Sequence, residues 1–362
     1  MKNRILSVDI FRGMTIVLMI LVNTPGTWSN VYAPLLHAKW HGYTPTDLVF
    51  PFFLFIVGTS IVFAYQNKTP SGATYKKITI RSLKLIGLGL FLGAFTISLP
   101  FIKEFSAIRF PGVLQRIGVV FFFAALLFLN FNWKRLVGLT VLILLGYWLV
   151  MTFIPVEGQP STFERAPNNL ANWLDVKAFG THNYKADYDP EGLLSTLPAI
   201  ASALLGIFTG YILRSKQEKK ATILFGLGGA LLIVGHLWDF LFPINKALWT
   251  SSFVLVTGGW ANIVLALIYY LTDVKNLQFG SIFRYAGANA IVVYFLSSFI
   301  TKLFYLIKID GETSLHGWLF TTFYVQDFFS MQLSSLLYGL TVVTFYCLLA
   351  YVLWKRKIFI KV

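Results

Sequence analysis

Ten stretches of mainly apolar residues run through this chain, at 7–27, 45–66, 79–101, 112–130, 135–155, 191–213, 219–241, 249–271, 284–302 and 332–354. As helices, each can cross roughly 30 Å of hydrocarbon, which takes about 20 residues. With most of the 362 residues inside such runs, no stretch remains for a separate soluble domain. The expected fold is an all-α integral membrane protein. It is a polytopic bundle of ten or eleven transmembrane helices, formed by one domain over residues 1–362. A hydrophobic fraction of 56%, a charged fraction of 12% and a mean hydropathy of +0.69 agree with that reading.

The net charge of +15 would suggest nucleic acid in a soluble protein. Topology accounts for it better. With the N-terminus inside, 20 of the 30 Lys and Arg residues fall on or near the cytoplasmic side, the bias that orients membrane proteins. No basic cluster interleaved with surface aromatics suggests a nucleic-acid partner. The chain is therefore expected to lie N-in and C-in in the inner membrane of the cell. Asp9 and Arg12 interrupt the first apolar run and no A-x-A site follows, so this run reads as a retained span and not as a cleaved signal. Cys347 is the lone cysteine, which leaves no disulfide framework and no cysteine-rich metal site.

Three outer-side loops stand out, at about 28–44, 156–190 and 303–331. The second and third are too polar to span and long enough to suggest a function, capping an outer-facing site. All five histidines fall in the outer half under this topology: His37, His41, His182 and His316 in loops, and His236 near the outer end of the seventh span. Plain hydrogen bonding or solvation in loops explains such a set as readily as proton chemistry does.

Ionisable groups within spans are costly and become functional candidates for that reason. Asp9 and Arg12, three residues apart, can pair on one helix face at the interface, or Arg12 can help hold an anionic cofactor entering from the cytoplasm. Asn23 ends the first span and can either orient a carbonyl oxygen or cap the helix before Pro25. Asp47, after "TPT", suits a first-turn carboxylate and equally the orientation of a histidine. In "RFPGVLQRIG", Gln115 and Arg116 follow a Pro-Gly break, and the Arg116 guanidinium needs a carboxylate, a phosphate or a water-filled cavity. His236 and Asp239 in "GHLWDF" share a helix face. His37 and His41 have the i, i+4 spacing of a zinc pair, but Gly42 and the lack of a third ligand argue against a metal.

Several segments together carry a family likeness: "SVDIFRGMTIVLMILVN", "LLHAKWHGYTPTDLVFPFFLFIVG", "PGVLQRIG", "YDPEGLLSTLPAIASALLGIFTGYIL", "NKALWTSSFVL" and "GANAIVVYF". In this order, from about Ser7 to Phe295, they resemble the transmembrane acetyltransferases related to heparan-α-glucosaminide N-acetyltransferase. The polar positions agree as well as the apolar ones.

The resemblance implies an enzyme that takes acetyl-CoA from the cytoplasm and acetylates an amino sugar on the far side. His37 matches the essential histidine of the family's pattern, with Asn23 and Asp47 as the other catalytic positions. His41 falls where the lysosomal relative has an amide. The phosphates of the coenzyme are best matched by arginine and lysine, so Arg12, Arg81, Arg116 and Arg284, with Gln115 and Asn289, are expected on the acetyl-CoA path, and Trp40, His236, Asp239, Asn245, Lys246 and Trp249 toward the acceptor. This chain resembles bacterial members without the large lumenal domain, which suggests glucosamine, N-acetylglucosamine or a cell-wall muropeptide sugar as acceptor. The expected partners are acetyl-CoA, that amino sugar, membrane lipid and a second copy of the chain in a homodimer. No metal is expected.

In chemical terms, a histidine with a pKa of about 6.5 can take a proton as an amine or hydroxyl attacks a thioester. His37 would be that base or an acetylated nucleophile, Asn23 an oxyanion donor and Asp47 the group that fixes the imidazole tautomer. Direct transfer is the simpler of the two routes. The alternative from another class is a polytopic transporter or flippase for a sugar or lipid-linked sugar, which would share the spans and the intramembrane charges.

Overall fold

The computed structural model describes residues 5–360, and the expected cytoplasmic cations Lys2, Arg4 and Lys361 lie outside them. Thirteen α-helices follow one another among the described residues. They are α1 (Leu6–Asn23), α2 (Pro45–Tyr65), α3 (Gly72–Ala94), α4 (Val113–Asn130), α5 (Trp133–Phe153), α6 (Leu170–Phe179), α7 (Thr196–Arg214), α8 (Lys220–Asp239), α9 (Ser251–Tyr269), α10 (Ser281–Ala288), α11 (Ala290–Leu306), α12 (Leu315–Phe323) and α13 (Met331–Lys355). Beyond Tyr269, a π-helical turn extends α9 over Tyr270–Val274. The described residues contain isolated β-bridges but no strand.

Eight of these helices are long and apolar enough to cross a membrane, and nine if α10 and α11 are one span bent by 83°. This is a multi-pass membrane protein. The stretch expected at 79–101 is α3, which starts earlier because Ser71 caps it, its side chain accepting from Thr74 N. α3 stops at Ala94, and Thr96 and Phe101 close a turn beyond it. Lys76, Lys77, Arg81 and Lys84 keep this 23-residue helix out of the apolar set. The run expected at 284–302 is the α10–α11 pair, broken at Asn289.

Burial sorts the helices. α9, α7, α2 and α1 are the most enclosed spans, whereas α5, α8 and α13 present most of their surface outward. The centre is tight because small residues let backbones meet. A Cβ on Gly58 of α2 would lie 1.8 Å from the Ala203 carbonyl oxygen of α7, and one on Gly206 of α7 would lie 1.9 Å from the Phe55 carbonyl oxygen of α2. Against that rigid pair, α1, α3, α4 and α11 surround the space in which the polar residues gather.

Candidate active site

The chain enters α2 through a capping box, the local device that builds the site. Thr44 is the N-cap and Asp47 the third helical residue, each side chain bonding toward the other's backbone N–H, which satisfies donors that the helix start leaves open. Asp47 Oδ2 accepts from Thr44 N at 2.9 Å and from Ala38 N at 3.0 Å. Its Oδ1 lies 2.6 Å from His37 Nδ1. The capping and orienting roles thus coexist on one carboxylate, which is almost fully buried while the His37 side chain is 47% exposed. With a proton on Nδ1 donated to Asp47, Nε2 carries the lone pair.

Lys246 completes the constellation. Its Nζ sits 2.9 Å from Nδ1 and 3.1 Å from Nε2 of His37 and 3.5 Å from Asp47 Oδ1. Because Nδ1 donates to Asp47, only Nε2 can accept from the ammonium. Burial lowers the Lys246 pKa, and the charge of Asp47 opposes that shift. The lysine arrives on the loop after α8, where Asp239 Oδ1 accepts from Ile244 N at 2.6 Å. Backbone bridges join this loop to His41 and Gly42.

These groups open on a cavity of about 310 Å³. Asn23, His37, Trp40, Asp47 and Lys246 line it, so the structure brings together all three expected catalytic residues and two of the expected acceptor residues. Arg109, Tyr184, Tyr188 and Glu191 also line it. The last three come from the strap before α7 and were not singled out in the sequence, although Tyr188 and Glu191 lie inside the quoted "YDPEGLLST" segment. Arg109 grips Asp189 and Glu191 of that strap. Burial opposes the guanidinium's charge, but the two carboxylates outweigh it and raise its pKa. Behind the strap, burial pushes Asp175 of α6 up to about 7, against a bond from Leu193 N and with the Asp189 charge adding to the rise.

The remaining expected residues on this side hold the structure around the cavity without lining it. Arg116 donates to the carbonyl oxygens of Pro190 (3.0 Å) and Gly192 (2.9 Å) and to Ser195 Oγ, so its charge is met by the strap. Its guanidinium also lies 5.2 Å over the Trp249 ring. Gln115 Nε2 donates to Phe110 O at 3.2 Å. Trp249 is wholly enclosed and donates to Ser202 Oγ at 3.0 Å. Asn245 is buried, its Oδ1 accepting from Leu248 N. His236 packs near Tyr43, with ring centres 6.1 Å apart. His41 engages Glu164 at 3.1 Å and faces Asn245, so the two histidines serve different partners. No group of three or more His, Cys, Asp or Glu residues able to hold a metal ion occurs among the described residues.

A second cavity, of about 640 Å³, lies at the opposite end of α1. Arg12, Lys77, Arg81, Lys84 and Asn289 line it. Arg12 donates to Ser60 Oγ at 2.7 Å and pairs with Asp9 at 3.3 Å, the pairing expected from their spacing. Arg81 covers the Phe121 ring at 4.7 Å, and its Nε is buried without a partner. Asn289 spends its amide on the chain end, donating to Ile358 O at 2.9 Å and accepting from Ile360 N at 3.0 Å. Arg284 lies over Trp354 at 5.1 Å and is not part of this lining.

The two cavities share walls. α2 gives Phe50 to one and Phe53 to the other, α4 gives Val113 and Ile117, and α11 gives Tyr294 and Ile291. On each helix the step is three or four residues, so about one helical turn, roughly 5.4 Å, separates them.

Comparison with known proteins bears on what such a double site is for. The model of the family described as heparan-alpha-glucosaminide N-acetyltransferase, catalytic, matches residues 4–242. The chain belongs to this family. The match includes Asn23, His37, Asp47 and Arg81, and ends within the loop after α8, four residues before Lys246. Two relatives named heparan-alpha-glucosaminide N-acetyltransferase, from Mus musculus and Homo sapiens, are each 30% identical to this chain. The alignments cover 99% of the chain and 61% and 60% of those proteins. The chain therefore spans about three fifths of the length of these family members.

Proposed function

We propose that this protein is a membrane-embedded acetyltransferase. Acetyl-CoA bound in the cationic cavity at the Arg12 end gives its acetyl group to the amine or a hydroxyl of an amino sugar at the His37 end. The observation that carries this reading is the arrangement of the two cavities: phosphate-type ligands suit one, a histidine–carboxylate pair serves the other, and one turn of side chains divides them. Family membership supports the same chemistry. The whole chain is read as one acyltransferase domain in the inner membrane, N-in and C-in, with α3 as the tenth span. The Arg12 end then faces the cytoplasm.

The residues of the cationic cavity fit a nucleotide. Several lysines and arginines converge there, and a buried guanidinium nitrogen of Arg81 has no protein partner. Arginine and lysine are the natural partners of phosphate. The pantetheine arm would pass between Phe50, Phe53 and Tyr294, which requires those side chains to part. A charge-assisted bond contributes about 1.5–3 kcal/mol, so Arg81→Ala should weaken acetyl-CoA binding roughly tenfold to a hundredfold by calorimetry. Unchanged affinity would move the nucleotide elsewhere.

At the other end, His37 accepts the amine or hydroxyl proton on Nε2 as the new C–N or C–O bond forms, while Asp47 holds the ring through Nδ1. The Lys246 ammonium must first release Nε2 and can then donate to the acetyl oxygen or to the leaving sulfur. Asn23 donates to the same oxygen, a role whose loss typically costs about 10²–10³ in rate. The C–S bond breaks, and the thiolate recovers a proton from Lys246 or from the imidazolium. No bond to His37 is needed, and direct transfer in a ternary complex balances atoms and charge. The acceptor is read as glucosamine, N-acetylglucosamine or a muropeptide-type sugar.

A transporter would leave the thioester intact, and this gives the test. Purified protein given acetyl-CoA and a hexosamine should release free CoA in step with acetylated sugar, read by a thiol reagent and mass spectrometry. Sugar movement across vesicles without CoA release would favour the transporter.

A further inference from the structure

A third cavity, of about 350 Å³, opens between α1 and α11. Met19, Asn23 and Tyr294 line both it and the His37 cavity, so the two meet at the expected oxyanion donor. Its α11 wall carries Ser297, Ser298, Thr301, Lys302 and Tyr305, at the spacing of one helix face. Tyr305 is held flat by His316, ring centres 4.1 Å apart. His316 in turn contacts the Pro25 carbonyl oxygen at 3.2 Å, just beyond Asn23.

The chemistry of this wall selects its occupant. Ser297 Oγ already donates to Tyr294 O at 2.8 Å, but a lipid tail would leave the remaining hydrogen-bonding capacity of these hydroxyls and of the ammonium unused. Sugar hydroxyls match Ser297, Ser298 and Thr301, and a sugar ring suits the fixed face of Tyr305. Lys302 adds a charge requirement. Its Nζ donates to Leu92 O at 2.5 Å and reaches Gly93 O at 3.4 Å, both at the end of α3. An ammonium has three donors, so one more bond is open. No carboxylate pairs with Lys302 among the described residues, and a cation within a bundle that meets only carbonyl oxygens favours an anionic partner.

The geometry points to this cavity as an acceptor subsite for an anionic amino sugar. The sugar hydroxyls lie along Ser297, Ser298 and Thr301, a carboxylate or phosphate substituent binds Lys302, and the amine passes Asn23 toward His37. This inference rests on the acetyltransferase reading above and adds the charge of the acceptor.

Steady-state kinetics with four free amines tests it: glucosamine as the neutral acceptor, glucosamine 1-phosphate and glucosamine 6-phosphate for phosphate, and muramic acid for carboxylate. Wild-type protein should prefer at least one anionic acceptor over glucosamine. For that acceptor, Lys302→Met should reduce the preference, as a ratio of kcat/KM values, about tenfold to a hundredfold, the range for one charge-assisted bond. Lys302→Arg should restore most of it, which separates lost recognition from misfolding. Transfer to glucosamine with no anionic preference, or a preference that survives Lys302→Met, overturns the subsite alone. A wild-type protein that acetylates none of the four overturns the acetyltransferase reading itself.

Discussion

His37→Ala is expected to lower acetyl transfer by about 10²–10⁴, the usual contribution of a positioned general base, while acetyl-CoA affinity stays within a few fold. The asymmetry follows from the separation of the two cavities. His37 bonds to Asp47 and Lys246 at one end, whereas the cations suited to phosphate line the other. Removal of the imidazole leaves Asp47 its bonds from Thr44 and Ala38, so the start of α2 keeps its cap. Single-turnover transfer, calorimetric binding and a thermal midpoint on the same preparation would show loss of chemistry without loss of fold or donor binding. His41→Ala, whose imidazole already engages Glu164, should keep most of the activity. Wild-type turnover by a folded His37→Ala protein would remove His37 from the mechanism.

Asn23, His37 and Asp47 were grouped by the family resemblance, since the residues alone left Asn23 and Asp47 as readily helix-end groups as catalytic ones. Asp47 after "TPT" reads as a first-turn carboxylate, and Asn23 ends an apolar run. Arg12 and Arg81 were placed at one end by the bias of basic residues toward the cytoplasmic side. Arg116 shows where such reading stops. An arginine inside a span needs a partner, but its partners are carbonyl oxygens of a strap more than 70 residues away. Sequence cannot distinguish that clamp from a phosphate ligand. Asn289 is the same case, since its amide goes to backbone near the chain end, about 70 residues on.

Helix register was also only partly legible. Hydropathy finds where a chain is apolar, and in α3 this displaced the expected span toward 79–101, because the basic first half of the helix scores as loop. The Ser71 cap, not apolarity, sets the true start. Tyr184 carried no local signal, and Tyr188 and Glu191 stood out only as part of the quoted "YDPEGLLST" segment, with no role attached. They reach the cavity only because Arg109 and Arg116 fold the strap across its mouth. Lys246 was placed with the acceptor, yet it lies against the His37–Asp47 pair, a contact between residues 209 apart in the chain.

The central claim is that donor and acceptor meet from opposite faces of the membrane. Sealed inside-out vesicles expose the cytoplasmic face, and a hexosamine can be trapped in their lumen. Acetyl-CoA added outside should yield acetylated sugar inside, with free CoA appearing only in the external medium. Acetylation that required acetyl-CoA in the lumen would contradict the account, whatever His37 contributes to the chemistry.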